Sequence, residues 1–389
     1  MAVGRFTIRD VAAKAGVSVA TVSRVLNGKG GAGEATRGRV LAAASSLGFV
    51  PNASARRLTS ARPDSFGFIV RYHRVRRNED PFYSVVLYSA SAELGRRGYH
   101  LVPLPVGEME LDHLLRMVAG GRFGGFLLAG PEVPFELARQ VAAQGLPMVL
   151  IDNRFQEMPD VPVVAGDDQG GAVQAVQHLL GHGYRRFACL SGPLEWPSSR
   201  SRYSGYASTL ALAGAEGVAR VVEMHETTEL SGYQAFSRLW EECQKEGEPV
   251  PEAIFCVNDA MALGALRAAR ENGLEVPRDV AIVGFDDVAM AAEARPALTT
   301  VRVFTDYVGA VAARILLEMV ERGREVQRSE GVDGTFPGGP AGIGETVLVG
   351  TRLVVRQSCG CAAVPAEGGV LSNAVAVDQA GDRRARSKG

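Results

Sequence analysis

The 389-residue sequence predicts a small all-α N-terminal domain followed by a two-lobed α/β domain with parallel sheets. Residues 1–50 carry apolar side chains at helical spacing, interrupted by glycine and serine. From residue 63 onward, short apolar strands alternate with helical stretches, a pattern typical of parallel sheets with helices on both faces. This alternation covers about 270 residues, more than one hydrophobic core normally serves, so we expect two lobes.

The charge of the chain is divided unevenly between these two parts. The whole sequence has a net charge of −1, which by itself argues against a nucleic-acid-binding protein. Residues 1–62, however, contain ten basic and two acidic residues, a net charge of +8, which leaves −9 for residues 63–389. A local excess of this kind attracts phosphates, although a solvated arginine-rich surface would have the same composition.

Three short helices are predicted in the N-terminal domain. Thr7 can cap a helix over 8–15, Gly16 permits a tight turn, and Ser18 can cap a second helix over 19–26. A third helix is expected over 35–47, with Val40, Leu41, Ala44 and Leu47 on its inner face. Two helices joined by a short turn and supported by a third form a helix-turn-helix, whose second helix would enter the DNA major groove.

The residues of this motif carry a family resemblance. The stretches TIRDVA, from Thr7, and GVSVATVSRVLN, ending at Asn27, resemble the LacI/GalR family of bacterial transcription regulators. The resemblance implies base contacts from Val19, Ala20 and Arg24, in keeping with the affinity of arginine for guanine and of small apolar groups for thymine methyls. The other DNA-binding candidates are Thr7, Ser18, Thr21, Ser23 and Asn27, of which the last three would hold phosphates. One departure is Gly33, since the family usually has an oxygen-bearing residue before its third helix.

Residues 51–62 match the hinge of the same family. A segment this short does not form a stable isolated helix, so we expect it to fold only on DNA. The resemblance implies that two such hinges enter the minor groove of the operator and that Leu58 wedges into the central base step. The hinge residues expected at DNA are Asn52, Ala55, Arg56 and Leu58. Alternatively, Leu58 is a core residue at the end of a linker.

The resemblance continues over roughly 5–325 and 347–358. It implies the two-lobed fold of periplasmic sugar-binding proteins (type I), with the chain crossing between lobes near 163, 293 and 323. The supporting motifs, in chain order, are SGPL from Ser191, VNDAMALGA from Val257, VGFDD from Val283 and PALTTV from Pro296. Ligands of such folds bind beyond the carboxyl ends of the strands.

Polar residues fall at those strand ends. Asp152, Asn258 and Asp286 each follow a predicted strand, and Arg202 lies at the start of a helix. The resemblance implies that they line an effector pocket, where carboxylates, amides and guanidinium bind sugar hydroxyls. The three strand-end residues could instead cap the next turn or helix, and we expect Asp259 to be a helix cap.

Three aromatic residues and one arginine complete the candidate pocket. Tyr72, Phe82 and Trp196 could each offer a flat face to a sugar ring, although each could equally be a packing residue. Arg71 could favour an acidic or phosphorylated effector, or it could belong to an exposed arginine run with Arg74, Arg76 and Arg77.

Enzyme motifs are weak. His178 and His182 are spaced i,i+4 but lack the glutamate of a zinc-protease motif, so His182 is expected at a helix end. The pair Cys359 and Cys361 has no second cysteine pair beside it, and there is no phosphate-binding loop. We therefore expect no enzyme activity, no metal site and no cofactor. Five cysteines do not make a disulfide framework, and no apolar run is long enough for a membrane helix.

Composition sets the remaining boundaries. Residues 329–346 are rich in Gly and Pro and are expected to be a flexible insertion, and 359–389 a disordered tail. The domains are therefore a helix-turn-helix over 1–50, a hinge over 51–62 and an effector-binding and dimerisation domain over 63–358. No secretory signal precedes them, so we expect a cytoplasmic protein.

Together these features predict a homodimeric repressor of carbohydrate-utilisation genes that binds a palindromic operator and is released by a sugar-like effector. One alternative is a co-repressor type, in which a purine or sugar phosphate raises DNA affinity. Another is a sugar-binding protein without DNA function, which the +8 N-terminal segment and the missing signal peptide argue against.

Overall fold

The computed structural model describes residues 6–26, 31–49, 63–71, 82–107, 109–215, 219–330, 346–361 and 376–377. The chain divides into two compact units, Met1–Pro63 and Asp64–Gly389. Several predicted site residues lie outside the described residues, namely Asn27, Asn52, Ala55, Arg56, Leu58 and Tyr72.

The first unit contains the three predicted helices. They are α1 (Ile8–Ala15), α2 (Val19–Leu26) and α3 (Glu34–Ser46). Gly16 ends α1 in the left-handed conformation, with φ of 66°, which a side chain would disfavour. The hydroxyl of Ser18 accepts a hydrogen bond from the Thr21 amide at 3.1 Å, as expected of a helix cap. Gly33 occupies the N-cap position of α3 without a side-chain bond.

The three helices share a small apolar core. Val11, Val22 and Val40, one from each helix, are fully buried there. The prediction that Leu41 faces inward is wrong, because it is 47% exposed. The inner face of α3 is taken instead by Val40 together with Ala43 and Ala44, at the i, i+3, i+4 spacing of one helix face.

The second unit contains two larger sheets. The first sheet has the strand order β13-β11-β5-β4-β3-β1-β2, and all its pairs are parallel except β11–β13. Its strands are β1 (Ser65–Arg71), β2 (His100–Val106), β3 (Phe126–Ala129), β4 (Met148–Ile151), β5 (Val163–Gly166), β11 (Thr346–Val349) and β13 (Ala376–Val377). The helices of this lobe are α4 (Phe82–Arg96), α5 (Leu111–Ala119), α6 (Phe135–Ala143) and α12 (Thr305–Glu330).

The second sheet is parallel, in the order β7-β6-β8-β9. Its strands are β6 (Phe187–Ser191), β7 (Ala219–Glu223), β8 (Ala253–Cys256) and β9 (Ala281–Val283). The helices of this lobe are α7 (Asp168–Gly181), α8 (Pro197–Leu212), α9 (Glu229–Glu246), α10 (Asp259–Glu271) and α11 (Ala289–Glu293). The two lobes with parallel sheets confirm the predicted fold class.

A two-stranded antiparallel sheet links the lobes. It pairs β10 (Thr300–Val303) with β12 (Thr351–Val354). The crossings expected near 163 and 293 lie a few residues later, because β5 pairs with the first sheet up to Gly166 and α12 of the first lobe begins only at Thr305, after β10. The crossing expected near 323 does not occur there either, since α12 continues to Glu330 and buries Leu316 and Val320.

Both segments expected to lack regular structure need correction at their edges. Helix α12 includes Ser329 and Glu330, and β11 begins at Thr346, so the predicted insertion of 329–346 is shorter at both ends. Cys359 is fully buried, and Ala376–Val377 pair with β11, so 359–389 is not simply a tail. Composition does not reveal this order, because the contacts that produce it are long-range. Ser358, just before the segment, forms hydrogen bonds with Ile282 and Thr299 on the second lobe. Among the described residues, no helix combines the length and apolarity needed to cross a bilayer.

Candidate ligand-binding cleft and DNA-binding helix

A cavity of about 500 Å³ opens in the second unit, where the strands of the two sheets end. Seven of the eight predicted effector residues line it, and the eighth, Tyr72, lies outside the described residues. The seven are Arg71, Phe82, Asp152, Trp196, Arg202, Asn258 and Asp286. They come from both lobes, because the carboxyl ends of parallel strands meet along one edge of each sheet.

Arg202 is the most tightly held side chain of the cleft. Its Nε lies 2.8 Å from Asp168 Oδ1, and its Nη1 donates to the Val257 carbonyl at 2.6 Å. Nη1 also lies 3.1 Å from Asp286 Oδ1, and the guanidinium covers the Phe285 ring at 3.9 Å. Burial opposes the charge, but Asp168 and Asp286 outweigh it and raise the pKa of Arg202. The side chain is therefore charged and fixed in one orientation.

Three aspartates of the second unit adopt positive φ angles. Asp152 has φ of 48°, Asp286 of 109° and Asp287 of 59°. Such conformations are costly for residues other than glycine and persist where the surroundings impose them. In Asp286 the backbone amide donates to the Val301 carbonyl at 2.8 Å, which holds the strained residue against the linking strand β10.

Asn258 fills both roles that the sequence left open for it, because it lines the cavity and caps α10. Asn258 caps α10, because its Oδ1 accepts from the Met261 amide at 2.9 Å, and its Nδ2 donates to the Thr227 carbonyl. The prediction that Asp259 is the cap is wrong. Asp259 is the first residue of α10 and is fully buried, with its carboxylate accepting from the Thr300 hydroxyl at 2.5 Å and the Val288 amide at 2.9 Å. Burial raises the pKa of Asp259 to about 7, although these hydrogen bonds oppose the rise.

Sequence reasoning missed several charged residues of the cleft. Asp168, which no motif singled out, lies behind the cleft wall as the 2.8 Å partner of Arg202. Its place two residues after the end of strand β5 is the signal that could have found it. Glu132 and Glu226 also line the cavity, and Glu132 lies 3.5 Å from Arg71. No motif marks either glutamate.

A second missed group joins the lobes. Asp287 accepts from Arg302 Nε at 2.6 Å and from Arg356 Nη2 at 2.5 Å. Arg302 belongs to β10, and Arg356 follows β12. Both linking strands are thereby tied to the loop that carries Asp286.

Helix α2 presents the predicted base-reading residues to solvent. Val19, Ala20 and Arg24 are exposed, whereas Val22 and Val25 on the opposite face are buried. Thr21 and Ser23 are half-buried, and Thr7 and Ser18 are exposed at the starts of α1 and α2. The side chains of Arg9, Lys14, Arg37 and Arg39 are exposed on the same unit. The face is thus free of core packing on a unit with exposed positive charge, while the individual DNA contacts remain predictions.

The second lobe also brings together four side chains that the sequence analysis treated separately. The ligand atoms of His178, His182, Cys359 and Cys361 lie within 4.8 Å of one another. Neither pair suggested the other in the sequence, because His178 and Cys359 are 181 residues apart, and no metal site was expected from either pair alone. The expected helix-end position of His182 is confirmed, since it caps the C-terminus of α7.

Two family models match the chain. Residues 7–52 match the lacI family of bacterial regulatory proteins, and residues 176–359 match a periplasmic binding protein-like domain. A curated relative, the HTH-type transcriptional regulator CelR of Thermobifida fusca, is 35% identical over 320 residues, which cover 81% of this chain and 92% of the relative.

Solved structures agree in fold. A transcriptional regulator CelR–cellobiose complex superposes with a TM-score of 0.63 at 31% identity, covering 91% of this chain and 100% of that one. The lac repressor dimer bound to operator and the anti-inducer ONPF superposes with a TM-score of 0.71 at 27% identity, covering 92% and 99%. These relatives are transcriptional regulators rather than enzymes.

Proposed function

This chain belongs to the lacI family of bacterial regulatory proteins, and from that membership we propose that it is a homodimeric, cytoplasmic repressor released from its operator by an uncharged sugar. Its role is regulation rather than catalysis. The observation that carries the effector part is the Arg202–Asp286 pair, which presents fixed hydrogen-bonding groups to a cavity between two lobes.

The exposed face of α2 supports the DNA-binding part. Arg24 can donate two hydrogen bonds to guanine, and Val19 and Ala20 can contact thymine methyls. The exposed basic residues of the same unit would attract the DNA phosphates. Two copies of the unit in a dimer would bind two half-sites, so the operator is a palindrome.

The charge of the cavity indicates which sugars it takes. Among the described lining residues there are two guanidinium groups, Arg71 and Arg202, and four carboxylates, Glu132, Asp152, Glu226 and Asp286. This negative excess disfavours a phosphorylated or otherwise anionic effector, and Arg71 already has Glu132 beside it. Hydroxyl groups suit such a lining, because they donate to carboxylates and accept from guanidinium.

The size of the cavity and one aromatic residue on its wall indicate the class of sugar more closely. A volume of about 500 Å³ lies within the range of roughly 300–1,000 Å³ usual for small-molecule sites. Trp196 is half-buried on the wall and can offer a flat face to a sugar ring. The CelR–cellobiose complex supports a disaccharide as the first candidate.

Release from the operator would follow if the sugar binds one arrangement of the two lobes more tightly than the other. A sugar that contacts Asp152 from one lobe and Asp286 from the other favours the arrangement in which both are in reach. If that arrangement binds operator less well, the sugar lowers operator affinity by the same coupling free energy.

A fluorescence-anisotropy assay tests the proposal with the full chain and a labelled palindromic operator. Cellobiose, maltose, glucose and glucose 6-phosphate are titrated into the preformed complex. We expect a neutral sugar to release the protein and glucose 6-phosphate to have no effect. Tightening of the complex by any of these ligands would instead support the co-repressor type, and release by the phosphate alone would overturn the argument from cavity charge.

A further inference from the structure

We propose that His178, His182, Cys359 and Cys361 form a structural zinc site that fastens the C-terminal segment to the second lobe. The four ligand atoms lie within 4.8 Å of one another. None of the four residues lines the cleft, and the proposal does not depend on which effector the cleft takes.

The donor distances fit a tetrahedral ion. His178 Nε2 lies 3.2 Å from Cys359 Sγ and 3.7 Å from Cys361 Sγ, and His182 Nε2 lies 3.1 Å from Cys361 Sγ. Around zinc, with bonds of about 2.0–2.3 Å, neighbouring ligand atoms are about 3.3–3.8 Å apart. Small side-chain adjustments would therefore seat an ion between the four atoms.

The local structure explains why these residues converge. His178 and His182 are four residues apart at the C-terminal end of α7, so they lie on one face of that helix. The two cysteines flank Gly360, which has φ of 97°, and this turn directs both sulfurs towards the histidines. A side chain at Gly360 would also approach the Tyr184 hydroxyl to 2.9 Å.

The turn is anchored by further hydrogen bonds, one of which reaches a ligand sulfur. The Ser358 hydroxyl donates to the Ile282 carbonyl at 2.5 Å and accepts from the Thr299 amide at 2.9 Å. The Thr299 hydroxyl donates to Cys359 Sγ at 3.1 Å, and the Tyr184 hydroxyl donates to the Cys359 carbonyl. Such outer contacts orient ligands and stabilise a thiolate in metal sites.

The donor set selects the metal and its role. Two sulfurs with two imidazole nitrogens in tetrahedral arrangement favour zinc over the oxygen-seeking magnesium and calcium ions. Two thiolates also balance the charge of Zn²⁺. Four protein ligands leave no open position for a substrate, so the site is structural rather than catalytic.

Metal content and cobalt substitution test the proposal on the full chain. Protein purified with zinc in the buffers and then dialysed should retain one zinc ion per chain. After zinc removal, Co²⁺ should give the intense visible bands of tetrahedral cobalt and a thiolate charge-transfer band. Zinc removal should also lower the unfolding temperature, since a ligand that binds only the folded state stabilises it.

Two variants at accessible positions, His182→Gln and Cys361→Ser, avoid disturbing the buried Cys359. Each variant should weaken zinc binding strongly. Loss of a residue that only orients a metal ligand lowers metal affinity roughly 10–100-fold, and loss of a ligand itself should lower it more. The matched control is His113→Gln, an exposed histidine on α5, which should retain zinc and the cobalt spectrum. Absence of retained zinc would overturn the proposal, and cobalt bands unchanged in both variants would overturn it too, because they would show an adventitious ion only.

Discussion

Arg202 Nη1 lies 3.1 Å from Asp286 Oδ1 at the wall of the cleft, in an ion pair whose two side chains are each about 10% exposed. Breaking such a pair leaves a buried charge, so the two side chains hold each other in place. Asp286 in turn is fixed by its bond to Val301 on the linking strand. The group that would meet an effector is thus connected directly to the element that joins the lobes.

Arg24→Ala should relax base preference at one position in each operator half-site. Arg24 is exposed on α2, and a two-pronged arginine–guanine contact is worth about 1–3 kcal/mol of discrimination. The base preference is measured by comparing the affinity of the variant for operators that carry each base at that position. Arg39→Ala, which removes an exposed charge from α3, is the matched control and should weaken binding to all operators alike. Unchanged base preference in the Arg24 variant would refute its reading role.

Gly264→Ala should destabilise the second lobe. An added Cβ would overlap the backbone oxygen of Glu229 and lie 2.6 Å from the Tyr233 amide, so α9 and α10 would have to separate. We expect a loss of about 1–3 kcal/mol in the free energy of unfolding, measured with urea.

The same substitution at Gly95 is the control. Gly95 lies in α4 with nothing within 4 Å of an added Cβ, so alanine should stabilise by about 0.5 kcal/mol. Equal effects at the two glycines would contradict the close approach of α9 and α10.

Asp259→Asn should remove a pH dependence of stability. The pKa of Asp259 is raised from 3.8 to about 7 by burial, so the folded state binds its proton more tightly than the unfolded state. Its contribution to stability is therefore present below pH 4 and is lost as the pH rises to about 7, by at most about 1.4 kcal/mol per pH unit.

Urea unfolding of both proteins between pH 5 and 8 measures the difference. The wild-type protein should lose stability relative to the Asn variant up to about pH 7, and the difference should then level off. A constant difference across this range would mean that Asp259 is ionised throughout.

Local signals explain what could be predicted from the sequence. Helices α1 and α2 follow from caps and apolar spacing within a few residues, such as Ser18 with Thr21. The strand-end positions of Asp152 and Asp286 follow from the geometry of parallel sheets. The cap of α10 was placed one residue late, at Asp259, because a helix start is uncertain by a residue or two from sequence alone.

Long-range contacts explain what could not be predicted. His178 and Cys359 are 181 residues apart, and each appears ordinary within its own segment. Asp287 binds Arg302 and Arg356, which lie on two different linking segments, so its part in joining the lobes depends on the folded structure. Such contacts leave no periodicity or spacing for sequence analysis to detect.

The most direct test of the central claim is operator release by sugar in the Asp286→Asn variant, with Asp112→Asn, an exposed aspartate on α5, as the control. Operator affinity without sugar should be the same in all three proteins. With cellobiose, or the sugar of the panel that releases the wild-type protein, half-release of the Asp286 variant should need about 10–100-fold more sugar, because a hydrogen bond to a charged group contributes about 1.5–3 kcal/mol. Release of this variant at the wild-type sugar concentration would contradict control of DNA binding through this cleft.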